Sequence, residues 1–492
     1  MGDEVATSAF TREQRQRYRE KVQLCLDVFE QMLSTWTFDA DHPLTGLEIE
    51  LNLVDAEYQP AMVNTAVLAE IADPAFQTEL GAYNIEFNAN PRPLMGASQV
   101  ELESDLRASL NAAEERANRH GAHIVMIGIL PTTMPEHLER EGWMSPSTRY
   151  AALNDSIFAE RGEDIHLDIH GPERLSLYAK TLAPESACTS VQFHLQVSPQ
   201  DFARTWNAAQ VLAGPQLALG ANSPYFFGRE LWRETRIELF AQSTDTRPAE
   251  LRNQGVRPRV WFGERWITSI FDLFEENVRY FPSLLPELTD EDPVGELEAG
   301  RAPRLQELRL HNGTVYRWNR PVYDIVDGRP HVRVENRVLP AGPTVTDVLA
   351  NATFYFGVLR MLVDDDRPIW SKITFPTAEE NFRECARRGF DATVYWPGVG
   401  EVTVDELVLR RLLPMAHEGL DRWGVDGKVR DRYLGVIEQR SKASVNGATW
   451  QVDTVHALEA SGMDRMSALT RMLQLYCEGM HSNEPVHTWP VP

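Results

Sequence analysis

Four short stretches of the chain alternate oily and polar residues, and the polar set carries acids, amides, an imidazole and guanidiniums. In Leu47-Glu48-Ile49-Glu50-Leu51-Asn52-Leu53 the residues Glu48, Glu50 and Asn52 share one face, because strand side chains alternate. In Ile85-Glu86-Phe87-Asn88-Ala89-Asn90 the polar face is Glu86, Asn88 and Asn90. In Val191-Gln192-Phe193-His194-Leu195-Gln196-Val197 it is Gln192, His194 and Gln196, and in Val332-Arg333-Val334-Glu335-Asn336-Arg337-Val338 it is Arg333, Glu335 and Arg337. If the four pair in one sheet, Glu48, Glu50, Glu86, His194 and Glu335 converge on one face, flanked by Arg333 and Arg337. Crowded carboxylates repel and desolvate one another, and divalent cations relieve that cost. An oxygen-rich set suits magnesium, and the imidazole leaves manganese open. The competing reading for any one strand is an ordinary solvated sheet face. Four strands with acids, amides and Arg, and almost no Lys, Ser or Thr, weigh against it.

The elements that would position these residues can be read around them. Residues 11–35 have apolar positions at helical spacing, and 98–120 read as a charged helix. The run Ala122-His123-Ile124-Val125-Met126-Ile127-Gly128-Ile129-Leu130 predicts a buried strand ending at Pro131. Residues 229–281 mix helix and loop, and the Pro- and Asp-rich segment 282–303 reads as an exposed loop. After Pro343 the pattern turns helical, over 344–363, 377–388, 403–423, 427–441 and 464–480. Strands before residue 340 and helices after it predict an α+β fold with a mainly antiparallel sheet and helices on its outer face. Three parts follow. An N-terminal helical segment spans 1–45, and a catalytic sheet with inserted helices and loops spans 46–360. A mainly helical part, 361–492, packs on the same domain.

Composition narrows the function. Of 492 residues, 48 are basic and 72 acidic, a net charge of −24 that repels nucleic acid and anionic membranes. An anionic small substrate remains compatible, because salt screens that field beyond about 10 Å. No apolar run nears the ~18 residues of a membrane span, and the polar stretch Met1 to Arg17 is no secretory signal. The four cysteines lie far apart, which predicts reduced thiols in a cytoplasmic protein. There is no phosphate-binding glycine loop and no nucleophile elbow. His166, Asp168 and His170 share a strand face and make a secondary transition-metal candidate. Cys188 reads as a small core residue, and Asn222 as a turn or cap residue.

The stretches GLEIELNLVD (46–55), YNIEFNANPRPL (83–94), TSVQFHLQVSP (189–199), ALGANSPYFFG (218–228) and HVRVENRVLPAGPT (331–344) resemble glutamate–cysteine ligases and related carboxylate–amine ligases. In order and spacing the resemblance runs from residue 46 to about 357. It implies a glutamine-synthetase-like fold, in which an antiparallel sheet forms a funnel lined by metal ligands. It further implies Glu48, Glu50, Glu86, His194 and Glu335 as those ligands, with Glu50 and Arg337 catalytic and Arg337 on the transferred phosphate. ATP and Mg2+, or Mn2+, are the implied cofactors, and glutamate with cysteine or another amine the substrates. Activation would pass through a γ-glutamyl phosphate, chemistry that asks the protein for positioning and charge neutralisation rather than a nucleophile. Arg233, Arg236 and Arg333 are candidates for substrate carboxylates, and Arg320, with Arg317 beside it, for nucleotide phosphates. Two readings compete: a metal-dependent hydrolase using the same Glu/His cluster, and an idle binding protein on the same scaffold. Nucleotide dependence separates the ligase from the hydrolase, and Glu50→Ala, which should abolish ADP release by a ligase and leave an idle binding protein unaffected, separates it from the third.

Overall fold

The computed structural model describes residues 5, 10–40 and 43–492. Eight of the 17 residues of the terminal stretch read as lacking a secretory signal, 1–4 and 6–9, lie outside the described residues. One antiparallel sheet organises the molecule. Its strands run, edge to edge, Asn319–Val326, Arg329–Asn336, Val191–Val197, Leu44–Val54, Asn84–Pro93 and Phe76–Thr78, and His123–Val125 pairs with the far end of Leu44–Val54. The sheet curls into half a barrel. Leu47, Ile49, Leu51, Phe193, Leu195, Val332 and Val334 point to its buried, oily side. There Phe193 meets Tyr355 and Phe356 of the helix Val345–Asp364, with ring centroids 6.1 Å apart in each case. The α+β expectation therefore holds, with helices on the outer face.

The helix Pro199–Gly220 was not legible as a helix. From Phe202 to Gly220 nearly every residue is buried, so no polar stripe marks its period. Ser198 starts it by accepting from the Asp201 amide, with Pro199 in the first turn. Gly357 and Gly419 let two outer helices touch backbone to backbone, since a Cβ on Gly419 would strike the Gly357 carbonyl. Arg440 locks three helices together: it bonds Asp347 at 2.7 Å, Asn351 at 2.6 Å and the Leu219 carbonyl at 3.2 Å.

Two expectations are corrected. The 122–130 run is a strand only over His123–Val125, because its sheet partner is used up there. Beyond it, side chains satisfy the backbone instead: Asn52 and Thr189 donate to the Ile127 carbonyl, and Tyr476 to that of Met126. Segment 282–303 is no plain exposed loop. It carries the helix Pro293–Glu298 and buries Leu284 and Leu285.

The helix Gln306–Asn312 forms one wall of the central cavity, and His311 anchors it. Its Nε2 donates to the Asn277 carbonyl at 2.8 Å, while Nδ1 is buried without a partner among the described residues. Burial holds this imidazole down, to about 4 from an ordinary 6.5. A histidine depressed in the folded state takes up its proton on unfolding, so stability is full above about pH 6.5 and falls as pH drops toward 4. The loss is on the order of 3 kcal/mol. His331, also held to about 4, adds to the same slope. Chemical denaturation of wild type and His311→Gln between pH 7 and 4 should show that slope reduced by about half in the variant. An unchanged slope contradicts the assignment.

Candidate active site

Sheet register decides which polar residues meet. Glu50 stands opposite Glu86, and Glu48 lies between Asn88 on one neighbour and Gln192 on the other. His194 stands opposite Glu335, which in turn faces Arg320. The polar faces of four strands thus form one continuous surface. It floors a cavity of about 310 Å³, walled on its other sides by Glu79, Arg149, Glu185, Arg236, Arg309, Tyr316 and Trp318.

One end of the cavity is acidic. Carboxylate oxygens of Glu50, Glu79 and Glu86 all lie within 4.8 Å of one another. The Ser190 amide and the Gln192 side chain donate to Glu50, and Asn88 donates to Glu86 at 2.8 Å. These donors aim the oxygens without supplying positive charge. Burial, and then the charges of Glu86 and Glu50, push the Glu79 carboxyl well above the carboxylate range. Glu50 is raised by burial and by Glu86, against the pull of Arg337. Three carboxylate oxygens crowded this closely have the hard donors and spacing that could hold a divalent ion. This is the one such cluster among the described residues.

The other end is held by arginines. Glu335 bonds Arg320 at 2.9 Å and Arg337 at 2.6 Å. Burial would raise its carboxyl, but those two guanidiniums hold it well below the usual range. Arg337 also donates to Gln192 at 2.6 Å, so the residue that steadies Glu50 also steadies Arg337. Arg333 donates from Nε to Nδ1 of His194 at 3.1 Å and from Nη1 to His331 at 3.0 Å. Arg309 and Arg333 share Asp324, at 3.1 and 3.4 Å. Because Nδ1 of His194 accepts from Arg333, Nε2 carries the proton. Nε2 sits 3.0 Å from Glu48, close but poorly aligned for a hydrogen bond.

The five residues expected as one ligand set therefore divide. Glu50 and Glu86 join Glu79, whereas Glu48, His194 and Glu335 belong to the arginine-held group. Arg320, Arg333 and Arg337 all line the cavity. Arg236 lines it too, but its guanidinium is spent on Glu234 at 3.1 Å and on the carbonyls of Arg337 and Val338, so it braces the chain that carries Arg337. Arg233 does not line the cavity; it packs against Gly389 and lies 4.0 Å from Glu230. Arg317 is buried under Trp261 and paired with Glu276 at 3.0 Å, also outside the cavity. Asp168 is occupied by Arg174 and His170, and His166 stacks on Tyr178, so the secondary metal candidate is an exposed hairpin face. Cys188 is a half-buried part of the cavity wall, its thiol pushed far up by burial. Asn222 is fully buried and cross-links Ala341, Tyr476 and Gln451, which is more than a turn residue does.

Sequence reasoning missed Glu79, Glu185, Arg149 and Arg309. Glu79 left one trace: Gln77, two residues before it, pairs with Glu86 in the short edge strand, so period two carries Glu79 to the same face. The others stand on turns and helices whose orientation only the fold supplies.

A model of glutamate–cysteine ligase family 2 matches residues 44–457. The crystal structure of the glutamate–cysteine ligase of Francisella tularensis in complex with AMP is similar, with a TM-score of 0.57 at 12% identity over 91% of this chain and 90% of that one. A bifunctional glutathione synthetase from Pasteurella multocida gives 0.51 at 12% identity, covering 94% of this chain and 54% of that chain. No curated protein sequence matches significantly. The architecture is the glutamine-synthetase-like fold expected from the motifs. With its four polar strands inside the matched span, the chain belongs to glutamate–cysteine ligase family 2.

Proposed function

We propose that this protein is an ATP-dependent carboxylate–amine ligase forming a γ-glutamyl amide, with cysteine the first acceptor to test and γ-glutamylcysteine the product. The observation that carries this reading is the division of one cavity into an acid end and an arginine end. Glu50, Glu79 and Glu86 crowd together at the first, and Arg309, Arg320, Arg333 and Arg337 line the second. A polyphosphate lying between them meets guanidiniums on one side and cation ligands on the other.

A carboxylate is a poor acyl donor, so amide formation first requires a better leaving group. Transfer of the γ-phosphoryl of ATP to the γ-carboxylate of glutamate supplies one. The acceptor ammonium loses a proton to water, the freed amine nitrogen attacks the acyl carbon, the acyl C–O bond breaks with its electron pair leaving on phosphate, and a second N–H proton passes to water to give the amide. Glu50, Glu79 and Glu86 would hold Mg2+ or Mn2+, which when bound neutralises phosphate charge. Arg337, braced by Gln192 and Glu335, holds the transferred phosphoryl. Arg320 and Arg333 neutralise the remaining phosphate and carboxylate oxygens. No protein nucleophile takes part, which agrees with a Cys188 thiol held protonated by burial.

Purified protein with ATP, Mg2+ and glutamate should release ADP when cysteine or another amine is added, and mass spectrometry should find the γ-glutamyl amide. Coupling of a different amine changes the acceptor and leaves the reaction class standing. Turnover of a substrate without nucleotide contradicts the ligase reading and favours the hydrolase. A second test concerns the acid end. Glu79→Gln keeps the shape and removes one charge, so half-saturation by Mg2+ should rise at least about tenfold. Wild-type Mg2+ dependence in that variant would remove Glu79 from the ligand set.

A further inference from the structure

Most acids lining the cavity have a partner. Glu335 has two arginines, Asp324 has two, Glu50 has an amide and a peptide N–H, and Glu86 has Asn88. Glu185 differs. Among the described residues no hydrogen bond or ion pair reaches its carboxylate, although it lines the same cavity. It sits in the short helical turn Glu185–Ala187, just ahead of the central strand, and lies outside the Glu50–Glu79–Glu86 cluster.

Its surroundings are aromatic. Tyr316, Phe240 and Trp318 line the same cavity, and the turn that carries Glu185 packs against the helix Thr235–Ser243, which carries Phe240. From Tyr316 the wall continues through Phe240, at 5.2 Å between centroids, to Trp318, at 5.9 Å. A lone carboxylate beside π faces attracts a cation and no neutral group equally well. The acceptor of the proposed ligase is such a cation, because primary amines are protonated near neutral pH.

We infer that Glu185, beside the aromatic wall of Tyr316, Phe240 and Trp318, is the docking point for the ammonium group of the acceptor amine. The inference rests on the ligase reading and adds which residue selects the acceptor's charge. Burial and the Glu50 charge push the Glu185 carboxyl up to about 8 against the pull of Arg337, and an arriving ammonium tips it back by pairing with the ionised form.

The test compares wild type with Glu185→Gln by initial rates of ADP release. Glutamate is held saturating and the acceptor is cysteine, cysteamine or hydroxylamine, the last uncharged at neutral pH; glutamate and Mg2+ are then varied in turn. In the variant, KM for each cationic acceptor that wild type uses should rise about tenfold, as for loss of a charge-assisted hydrogen bond. KM for glutamate and half-saturation by Mg2+ should move less than about twofold, and Glu185→Asp should fall between. An unchanged acceptor KM overturns the inference, as does an equal shift for hydroxylamine or glutamate, which marks a structural role. A shift confined to Mg2+ overturns it by making Glu185 a cation ligand. If wild type releases no glutamate-dependent ADP with these three or any other amine, the ligase reading itself fails, a result distinct from all of these.

Discussion

Three carboxylates that repel one another are fixed on one face of a sheet, and the rest of the site is arranged around that repulsion. The register that sets Glu50 opposite Glu86 comes from the ladder between Leu44–Val54 and Asn84–Pro93, and a one-residue slip of either strand would send its own acid into the oily layer. That layer resists slipping, because Ile49, Leu51 and Phe193 are wedged against helices on the outer face. Hydrophobic burial therefore supplies the energy that keeps like charges together. The donors around Glu50 and Glu86 fix direction, not charge, and so leave the cluster able to take a cation.

Arg337 links the two ends of the cavity. It is bonded to Glu335, shares Gln192 with Glu50, and has its backbone carbonyl held by Arg236. Any charge arriving between the two ends acts on a guanidinium that is already positioned, which costs little rearrangement. The arginine-held group of Glu48, His194 and Glu335 follows a different logic. There the protein supplies its own cations, and a second metal ion at His194 requires Arg333 to release the ring nitrogen it now occupies.

Much of this was legible in the sequence because period two is a rigid rule. Alternation in four stretches was enough to place Glu48, Glu50, Glu86, His194 and Glu335 on one sheet face, and the motifs were enough for the fold. What alternation cannot say is which strands are neighbours and how residues pair across them. That is why one expected ligand set became two groups. Arg233 and Arg236 looked equivalent in Leu231-Trp232-Arg233-Glu234-Thr235-Arg236, yet the helix Thr235–Ser243 starts between them and turns only Arg236 inward. Glu185 stands in a helical turn, where strand spacing carries no orientation, and Glu79 lies one residue past a three-residue edge strand, so its period was too short to stand out. The helix Pro199–Gly220 was hidden for the opposite reason: burial on all sides erases the polar stripe that marks a helix.

The account treats the sheet face as a cation site first and a catalytic site second. Crystals of the full chain grown with Mn2+ and without nucleotide offer the most direct measurement, by anomalous diffraction at the manganese edge. A peak bonded to Glu50, Glu79 and Glu86 is the predicted result. Anomalous density only at exposed surface acids, with the three carboxylates still crowded and no ion among them, would contradict it.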